Sequence, residues 1–410
     1  MRQDLQIRIV KELLRQLDDD ENVDAKVQYR MPTNSYTCPE LAEMEWDNFF
    51  REHPQIIGLS GDLPELGSFF TIDDFGIPIL ATRDKQGQFH AFLNACPHRG
   101  ARVADQPRGK APVFVCPFHS WSFSLTGDLL AVPEMDHFGT IDKACHGLVA
   151  LPAIEQDGLL WVHPQPDGEL KIDELLGPLA EELASYNMAR RSYVAEKTID
   201  MDLNWKLAND IFGETYHFAK LHKDTLGQTY YGSNLAYEEF GRNHRFVTAR
   251  KSIDTLRELP EGEWQLFEGA LILYYLFPNI QLVIGRDQIT LIRIYPDPKN
   301  PGRSITRISM YYERDVIEAM DALDDDQKIT AESIYNRDKI GKPLTPEANL
   351  EVFSSTIEDE DYLMGEHQQK TAQSDLLSHS IFGRNEAPLH HFHNSFRSAL
   401  GMAPLERVEE

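Results

Sequence analysis

The sequence predicts an α+β protein, with a small all-β domain inserted near the start of a larger domain built on an antiparallel sheet with helices. Three observations predict it. Between residues 45 and 165, short apolar or alternating runs sit between Gly, Pro and Asp turns, the pattern of many short strands. Between 271 and 313, three longer extended segments follow one another, as in a meandering antiparallel sheet. Helical spacing appears on both sides of these regions. The expected divisions are 1–44, an N-terminal helical segment of the larger domain; 45–165, the small β domain; and 166–410, the remainder of the larger domain.

The elements follow in order. Leu5, Ile7, Val10, Leu13, Leu14 and Leu17 recur at helical spacing, which predicts an amphipathic helix over 4–17, ended by the acidic run 18–21. The runs at 69–74, 77–83, 89–94, 113–118 and 159–164 are short strands. Residues 172–186 read as helix, 192–206 as extended chain and 205–222 as helix again. Strands at 271–285, 288–296 and 303–313 form the sheet. Two long helices close the chain, at 313–341 and 346–376.

Bulk properties exclude several classes. The chain has 410 residues, 41% of them apolar, enough for two or three domains at roughly 100–200 residues each. With 40 basic and 66 acidic residues the net charge is −26, which argues against nucleic acid, whose phosphates require clustered Lys and Arg. The four cysteines, Cys38, Cys96, Cys116 and Cys145, are too few to form a disulfide framework in a chain this long. No run reaches the roughly 18 apolar residues of a membrane span, and the charged N-terminus lacks a secretory core. A soluble protein in a reducing, cytoplasmic setting is expected.

Two constellations carry chemistry. The first is Cys-Pro-His-Arg at 96–99 and Cys-Pro-Phe-His at 116–119, each just after a strand. A Rieske [2Fe–2S] centre needs two thiolates on one iron and two imidazoles on the other, and two similar loops facing one another supply that set. Zinc also accepts two Cys and two His, but zinc fingers usually pair Cys with Cys and His with His. Pro97 and Pro117 stiffen the loops.

The second constellation is Glu214, His217 and His222 within 205–222. Glu214 and His217 share a helix face. His217 and His222 are five apart, about 140° around an ideal helix, so they converge only where the helix ends or bulges. Two His and one carboxylate with open positions make the facial triad of non-haem Fe(II) oxygenases. A di-iron site would need a second Glu-x-x-His on a helix. The other instance, Glu134 with His137, falls in a loop-like stretch.

CPHRGA followed by CPFHSWSFSLTGDL, then NWK with ETYHFAKLH, resembles the large (α) subunits of aromatic ring-hydroxylating Rieske non-haem iron oxygenases, over residues from about 45 to 400. The resemblance implies a Rieske domain inserted in a mononuclear-iron catalytic domain. Cys96, His98, Cys116 and His119 then hold the [2Fe–2S] cluster. The residue after the last of these is usually Gly but here is Ser120. Neither loop carries the extra Cys of respiratory Rieske proteins, which implies a low-potential cluster. His217 and His222 become iron ligands. The third is expected in a D-x4-E-x2-Q-like context, where Asp361 fits best and Asp359 is the alternative. The family's carboxylate three before the first His connects one subunit's cluster to its neighbour's iron. Many members have Asp there, and this chain has Glu214.

The resemblance further implies an enzyme that uses O2 and two externally supplied electrons to hydroxylate a small, aromatic substrate in hydrocarbon catabolism. No G-x-G-x-x-G follows a strand, so a separate ferredoxin or flavin reductase must supply the electrons. The expected assembly is a homotrimer, with or without a small β subunit, and with no nucleic-acid or membrane partner. The rival within the class is an N-demethylating monooxygenase on a methylammonium compound, which needs an aromatic cage or carboxylate. Outside the class stand an electron-transfer Rieske protein, which would use the first constellation alone, and a metal-dependent hydrolase, which would leave the cluster idle. The substrate pocket is expected between the iron helix and the sheet at 270–295, with Tyr230, Tyr231, Tyr274, Tyr275 and Phe277 as candidate liners. The HHFH at 390–393 is read as part of a packed terminal helix.

Overall fold

A computed structural model describes residues 1–334 and 341–409. The chain forms two compact units, one of Met1–Met44, Ile172–Tyr186 and Val194–Glu410, the other of Glu45–Lys171 and Asn187–Tyr193. The β unit thus runs to Lys171 rather than to 165, and takes back a later segment as well.

The β unit contains a five-stranded and two three-stranded sheets. The five-stranded sheet runs Ala150–Leu151, Phe89–Leu93, Ile79–Arg83, Ser68–Ile72, Arg108–Lys110, with antiparallel neighbours throughout. Its core joins Phe69, Leu80, Phe92, Phe114, Trp121 and Phe123 to both Cys96 and Cys116. The two loops are therefore anchored by their cysteines in the unit's own hydrophobic core.

The larger unit opens with α1 (Gln3–Asp19), which buries Ile9, Val10, Leu13 and Leu14 and ends with Asp20 in the left-handed region. Its sheet has seven strands: β1 (Arg191–Met201), β2 (Ala236–Phe240), β3 (Asn243–Ala249), β4 (Ala270–Leu276), β5 (Ile280–Ile284), β6 (Gln288–Asp297) and β7 (Asn300–Glu313), in the order β1-β7-β6-β5-β4-β3-β2. From β2 to β7 it is a continuous meander of antiparallel neighbours. Every residue of β5 and all but the ends of β6 are buried. Both faces are covered, which is why these strands read as near-continuous apolar runs.

The helices differ from expectation at three places. Residues 172–186 split into Ile172–Leu176 and Leu179–Ala184 at Gly177-Pro178, a pair that interrupts helix. The helix expected over 313–341 spans only Arg314–Asp321. The carboxylates of Asp324, Asp325 and Asp326 would oppose its C-terminal dipole, and 335–340 lie outside the described residues. The helix expected over 205–222 is α2 (Trp205–Asp210) followed by one tight turn at Ile211–Gly213, after which Glu214 is extended. The segment 346–376 is α3 (Pro346–Thr356) and α4 (Leu363–Gln373), joined without a break by a π turn at Ile357–Tyr362. The last helix, α5 (Ala387–Ala399), buries His390, His391 and His393, as a packed terminal helix should. No helix among the described residues is long and apolar enough to cross a membrane.

Candidate metal centres

The two Cys-His loops share one backbone design. Cys96 N–H donates to Ala101 O at 2.7 Å and Cys96 O accepts from Gly100 N–H at 2.8 Å; Cys116 N–H donates to Trp121 O at 2.8 Å and Cys116 O accepts from Ser120 N–H at 2.9 Å. Each loop closes through a left-handed residue, Gly100 (φ +76°) in one and Ser120 (φ +59°) in the other. Ser120 thus occupies a position that favours glycine.

Both cysteines are buried, while His98 and His119 are half-buried. The cysteines belong to the core cluster, and the imidazoles are only partly exposed. The two rings lie 4.5 Å apart, and His98 stacks on Trp121 at 5.1 Å. His119 Nδ1 is buried with no hydrogen-bond partner. Burial pushes the Cys96 thiol up, and neighbouring Cys116 adds to the rise. Two adjacent thiols and an orphaned imidazole nitrogen fit a [2Fe–2S] group with mixed ligands.

The second centre is assembled from distant parts of the chain. Asn204 caps α2 by accepting from Lys206 N–H at 2.9 Å, and the helix stops at Gly213. A Cβ there would come within 2.2 Å of Leu389 Cδ2 on α5, so the chain passes close to that side chain where the turn ends. The chain then turns. His217 O accepts from Leu221 N–H at 2.8 Å, and His222 O accepts from Gly227 N–H at 2.8 Å. The termination that convergence of His217 and His222 requires thus lies before Glu214 rather than between the histidines.

Opposite stands the π turn. Asp361 Oδ1 lies 3.0 Å from His222 Nε2 and 3.4 Å from His217 Nε2. One ligand atom from each of His217, His222 and Asp361 lies within 4.8 Å of the others, the metal-competent group found among the described residues. Asp359 is exposed. Each imidazole is held from behind by another carboxylate. Glu214 bonds His217 Nδ1 and also accepts from the backbone N–H of His217 at 3.2 Å. Glu360 bonds His222 Nδ1 at 2.7 Å and accepts from Thr225 O–H at 3.0 Å. A carboxylate on Nδ1 fixes the tautomer and aims Nε2 at the ion. Glu360 was not singled out from the sequence, where it is one of four consecutive acidic residues.

Burial opposes charge on His217, but hydrogen bonds to Asp361 and Glu214 outweigh it and raise the ring to about 9. His222 is likewise raised against its burial, by Asp361 and Glu360. Burial alone would raise Asp361, yet the two imidazoles hold it below the usual carboxylate range. Two imidazoles and one carboxylate with an open side fit Fe(II).

A cavity of about 300 Å³ opens beside this group, lined by His217, His222 and Asp361 and by apolar residues of the sheet and of α3. Tyr230 lines it, as expected. Tyr231, Tyr274, Tyr275 and Phe277 are not among its liners. Tyr231 O–H donates to Asp254, Tyr274 points to Tyr186 on the other face of the sheet, and Tyr275 packs on Phe392. Glu134 and His137 are exposed.

Comparison with known proteins defines the class. Residues 188–402 match the family model described as ring hydroxylating alpha subunit (catalytic domain), and 53–151 match the Rieske [2Fe-2S] domain. The chain belongs to the ring-hydroxylating alpha-subunit family, and its cofactors are a [2Fe–2S] cluster and a mononuclear iron. It is 32% identical over 194 residues to the glycine betaine monooxygenase oxygenase subunit of Chromohalobacter salexigens, covering 47% of this chain and 43% of that one. Over 202 residues it is 28% identical to the anthranilate 1,2-dioxygenase large subunit of Acinetobacter baylyi, covering 47% and 42%. These alignments span less than half the length of the curated relatives. Among solved structures, the fold matches a quaternary ammonium Rieske monooxygenase bound to L-carnitine (TM-score 0.72, 18% identity, 92% and 96% covered). It also matches naphthalene 1,2-dioxygenase from Rhodococcus sp. bound to indole (TM-score 0.69, 18% identity, 96% and 98% covered).

Proposed function

We propose that the chain is the oxygenase component of a Rieske non-haem iron oxygenase. It takes two electrons from a separate ferredoxin or flavin reductase and uses O2 to mono- or dioxygenate a small organic substrate, aromatic by default. The observation that carries this reading is the convergence of His217 Nε2, His222 Nε2 and Asp361 Oδ1 at the wall of a largely apolar cavity, in a chain that also bears the two Cys-His loops.

Cys96, His98, Cys116 and His119 would hold the cluster; His217, His222 and Asp361 would hold the iron. When bound, the cluster supplies electrons and the iron the redox chemistry that activates O2. The chain's own groups do the positioning. Glu214 and Glu360 hold the Nδ1 protons of His217 and His222, so both Nε2 atoms face the cavity wall. Phe212, Phe218, Phe246 and Phe353 line the cavity and exclude water from the bound substrate. Glu214 is the residue we assign to electron delivery between a neighbour's cluster and this iron. A head-to-tail arrangement of that kind closes into a ring, most simply a homotrimer. Inter-subunit electron transfer is described for a carnitine-oxidising relative of the same fold. The partly exposed His98 and His119 are where a carrier would dock, and the charge of −26 favours a basic one. Four free cysteines accord with the cytoplasm.

Relatives acting on glycine betaine and carnitine favour a methylammonium substrate as the second reading. The carboxylates lining the cavity are Glu214 and Asp361, both engaged with the histidines, so a cation would rest on the aromatic liners Phe212, Phe218, Tyr230, Phe246 and Phe353 instead. The test is aerobic turnover with a reduced ferredoxin and isotopically labelled O2, read by mass spectrometry. Incorporated label supports the reading. Reoxidation of the cluster with no labelled product from any aromatic or methylammonium compound sinks it.

A further inference from the structure

The floor of the cavity is one face of the sheet. Phe246 pairs with Leu273, Leu273 with Val283, and Val283 with Thr290, giving a single row of cavity-lining side chains across β3, β4, β5 and β6. Arg250 stands just past the end of β3, on the same alternation as Phe246. Its backbone N–H donates to Gly269 O at 2.8 Å, which fixes where the chain leaves the sheet. Its guanidinium carbon lies 5.5 Å from the centre of the Tyr230 ring, and both residues line the cavity.

Arg250 has no ion-pair partner among the described residues, and its Nε is buried with no hydrogen-bond partner. Arg245 and Arg293 of the same sheet also leave a buried Nε without a partner, but their terminal nitrogens are ion-paired. Arg245, on the opposite face of the same strand, is bonded twice to Glu182 and once to Glu238. A second orphan faces the same cavity: Thr290 Oγ1, on a residue 1% exposed. The other polar groups nearby satisfy one another, Gln288 Oε1 accepting from Asn349 Nδ2 at 2.6 Å and from Tyr312 O–H at 2.5 Å. A guanidinium that has the Tyr230 hydroxyl beside it but no carboxylate partner among the described residues, at the edge of an apolar cavity, is a ready carboxylate receptor.

We infer that the substrate carries a carboxylate that pairs with Arg250, and an uncharged apolar body that lies along the row Phe246–Leu273–Val283 toward His217 and His222. The like charge of Arg250 then disfavours a purely cationic substrate. This inference rests on the oxygenase reading only for the word substrate, since binding and oxygen uptake are separate measurements.

The experiment titrates the holoenzyme calorimetrically with benzoate, 3-phenylpropanoate, their primary amides, and trimethylphenylammonium. The expected result is that each carboxylate binds about tenfold or more tightly than its amide, with the ammonium weakest. Arg250→Gln should abolish the acid-over-amide preference, and Arg250→Lys should keep part of it, both with normal cluster absorbance and iron content. Equal binding of acid and amide by the native protein overturns the inference, as does tightest binding of the ammonium. A preference that survives in Arg250→Gln overturns it too. The native protein's own acid-to-amide ratio decides the matter if the variants fail to fold. If carboxylates bind through Arg250 but reduced protein consumes no O2 with any compound, the oxygenase reading falls and the receptor stands. If label enters only neutral or cationic compounds, the receptor falls and the oxygenase reading stands.

Discussion

The two candidate metal centres are built in opposite ways. The Cys-His loops are local. Each is a closed turn of six residues, with its own backbone hydrogen bonds and its own cysteine in the core beneath. The iron site is not local. His222 and Asp361 are 139 residues apart, and they meet where the chain leaves helix after Gly213 and a π turn lies opposite. Local geometry survives changes elsewhere, whereas an assembled site depends on every element that carries it.

The largest expected effect tests that independence. Asp361→Ala removes the atom on which both Nε2 groups converge. It should lose iron and lower product formation by about a thousandfold or more, with the cluster spectrum unchanged, while Asp359→Ala should do little. Metal analysis beside visible absorbance checks it. Loss of the cluster in Asp361→Ala would break the contrast between the two centres.

A smaller effect is expected behind the ligands. Glu214→Gln keeps the size and one acceptor but loses the charge on His217 Nδ1. It should slow reoxidation of a pre-reduced cluster by about 10–100-fold while iron remains bound. Stopped-flow absorbance reads this, and native rates at full iron occupancy would remove Glu214 from the electron path.

The larger unit should also be the more acid-sensitive. Burial holds His390 down to about 4 from an ordinary 6.5, and buried His244 is also held well below its ordinary value, with His391 adding to the effect. A depressed histidine contributes stability that is present above its unfolded pKa and is lost as pH falls through the folded one. Between about pH 6.5 and 4, His390 should therefore withdraw on the order of 3 kcal/mol. Thermal melts by circular dichroism should fall steeply through that window, and His390→Gln should flatten the slope. An unchanged slope would show that the ring is not buried neutral.

The smallest effect concerns Ser120. A non-glycine residue in the left-handed region carries roughly 1–2 kcal/mol of strain, partly offset by the unfolded-state freedom that glycine adds. Ser120→Gly should stabilise the cluster loops by about 0.5 kcal/mol, seen as later thermal bleaching of the cluster. Gly100→Ser should do the reverse. Earlier bleaching in Ser120→Gly would show that the serine hydroxyl matters more than the backbone.

The same contrast explains what the sequence disclosed. The proposed cluster residues could be picked out because ligand type and spacing lie within short motifs. The sheet was legible from its apolar runs. His217 and His222 were legible as residues but not in their geometry. Helical periodicity ran across 205–222, whereas the chain leaves helix after Gly213. A π turn has no periodic signature of its own, so the acidic run 358–361 offered Asp361 as a candidate but hid Glu360. The continuous apolar run at 270–277 did not tell one face of β4 from the other, so the aromatic Tyr274 and Tyr275 were named as liners and Leu273 was not. An arginine at a strand end defaults to solvent, which concealed Arg250.

The strand-built floor has a consequence for how this protein can change. Along β4, Leu273 meets the cavity while Tyr274 bonds Tyr186 and Glu182 on the other face. Along β3, Phe246 meets the cavity while Arg245 bonds Glu182. Neighbouring positions thus face separate surroundings, the cavity on one side and the unit's polar network on the other, without sharing a side chain. Substitutions at Phe246, Leu273, Val283 and Thr290 can be combined as a compact library whose members differ in what they accept and keep one scaffold, because the polar network behind the sheet is never touched.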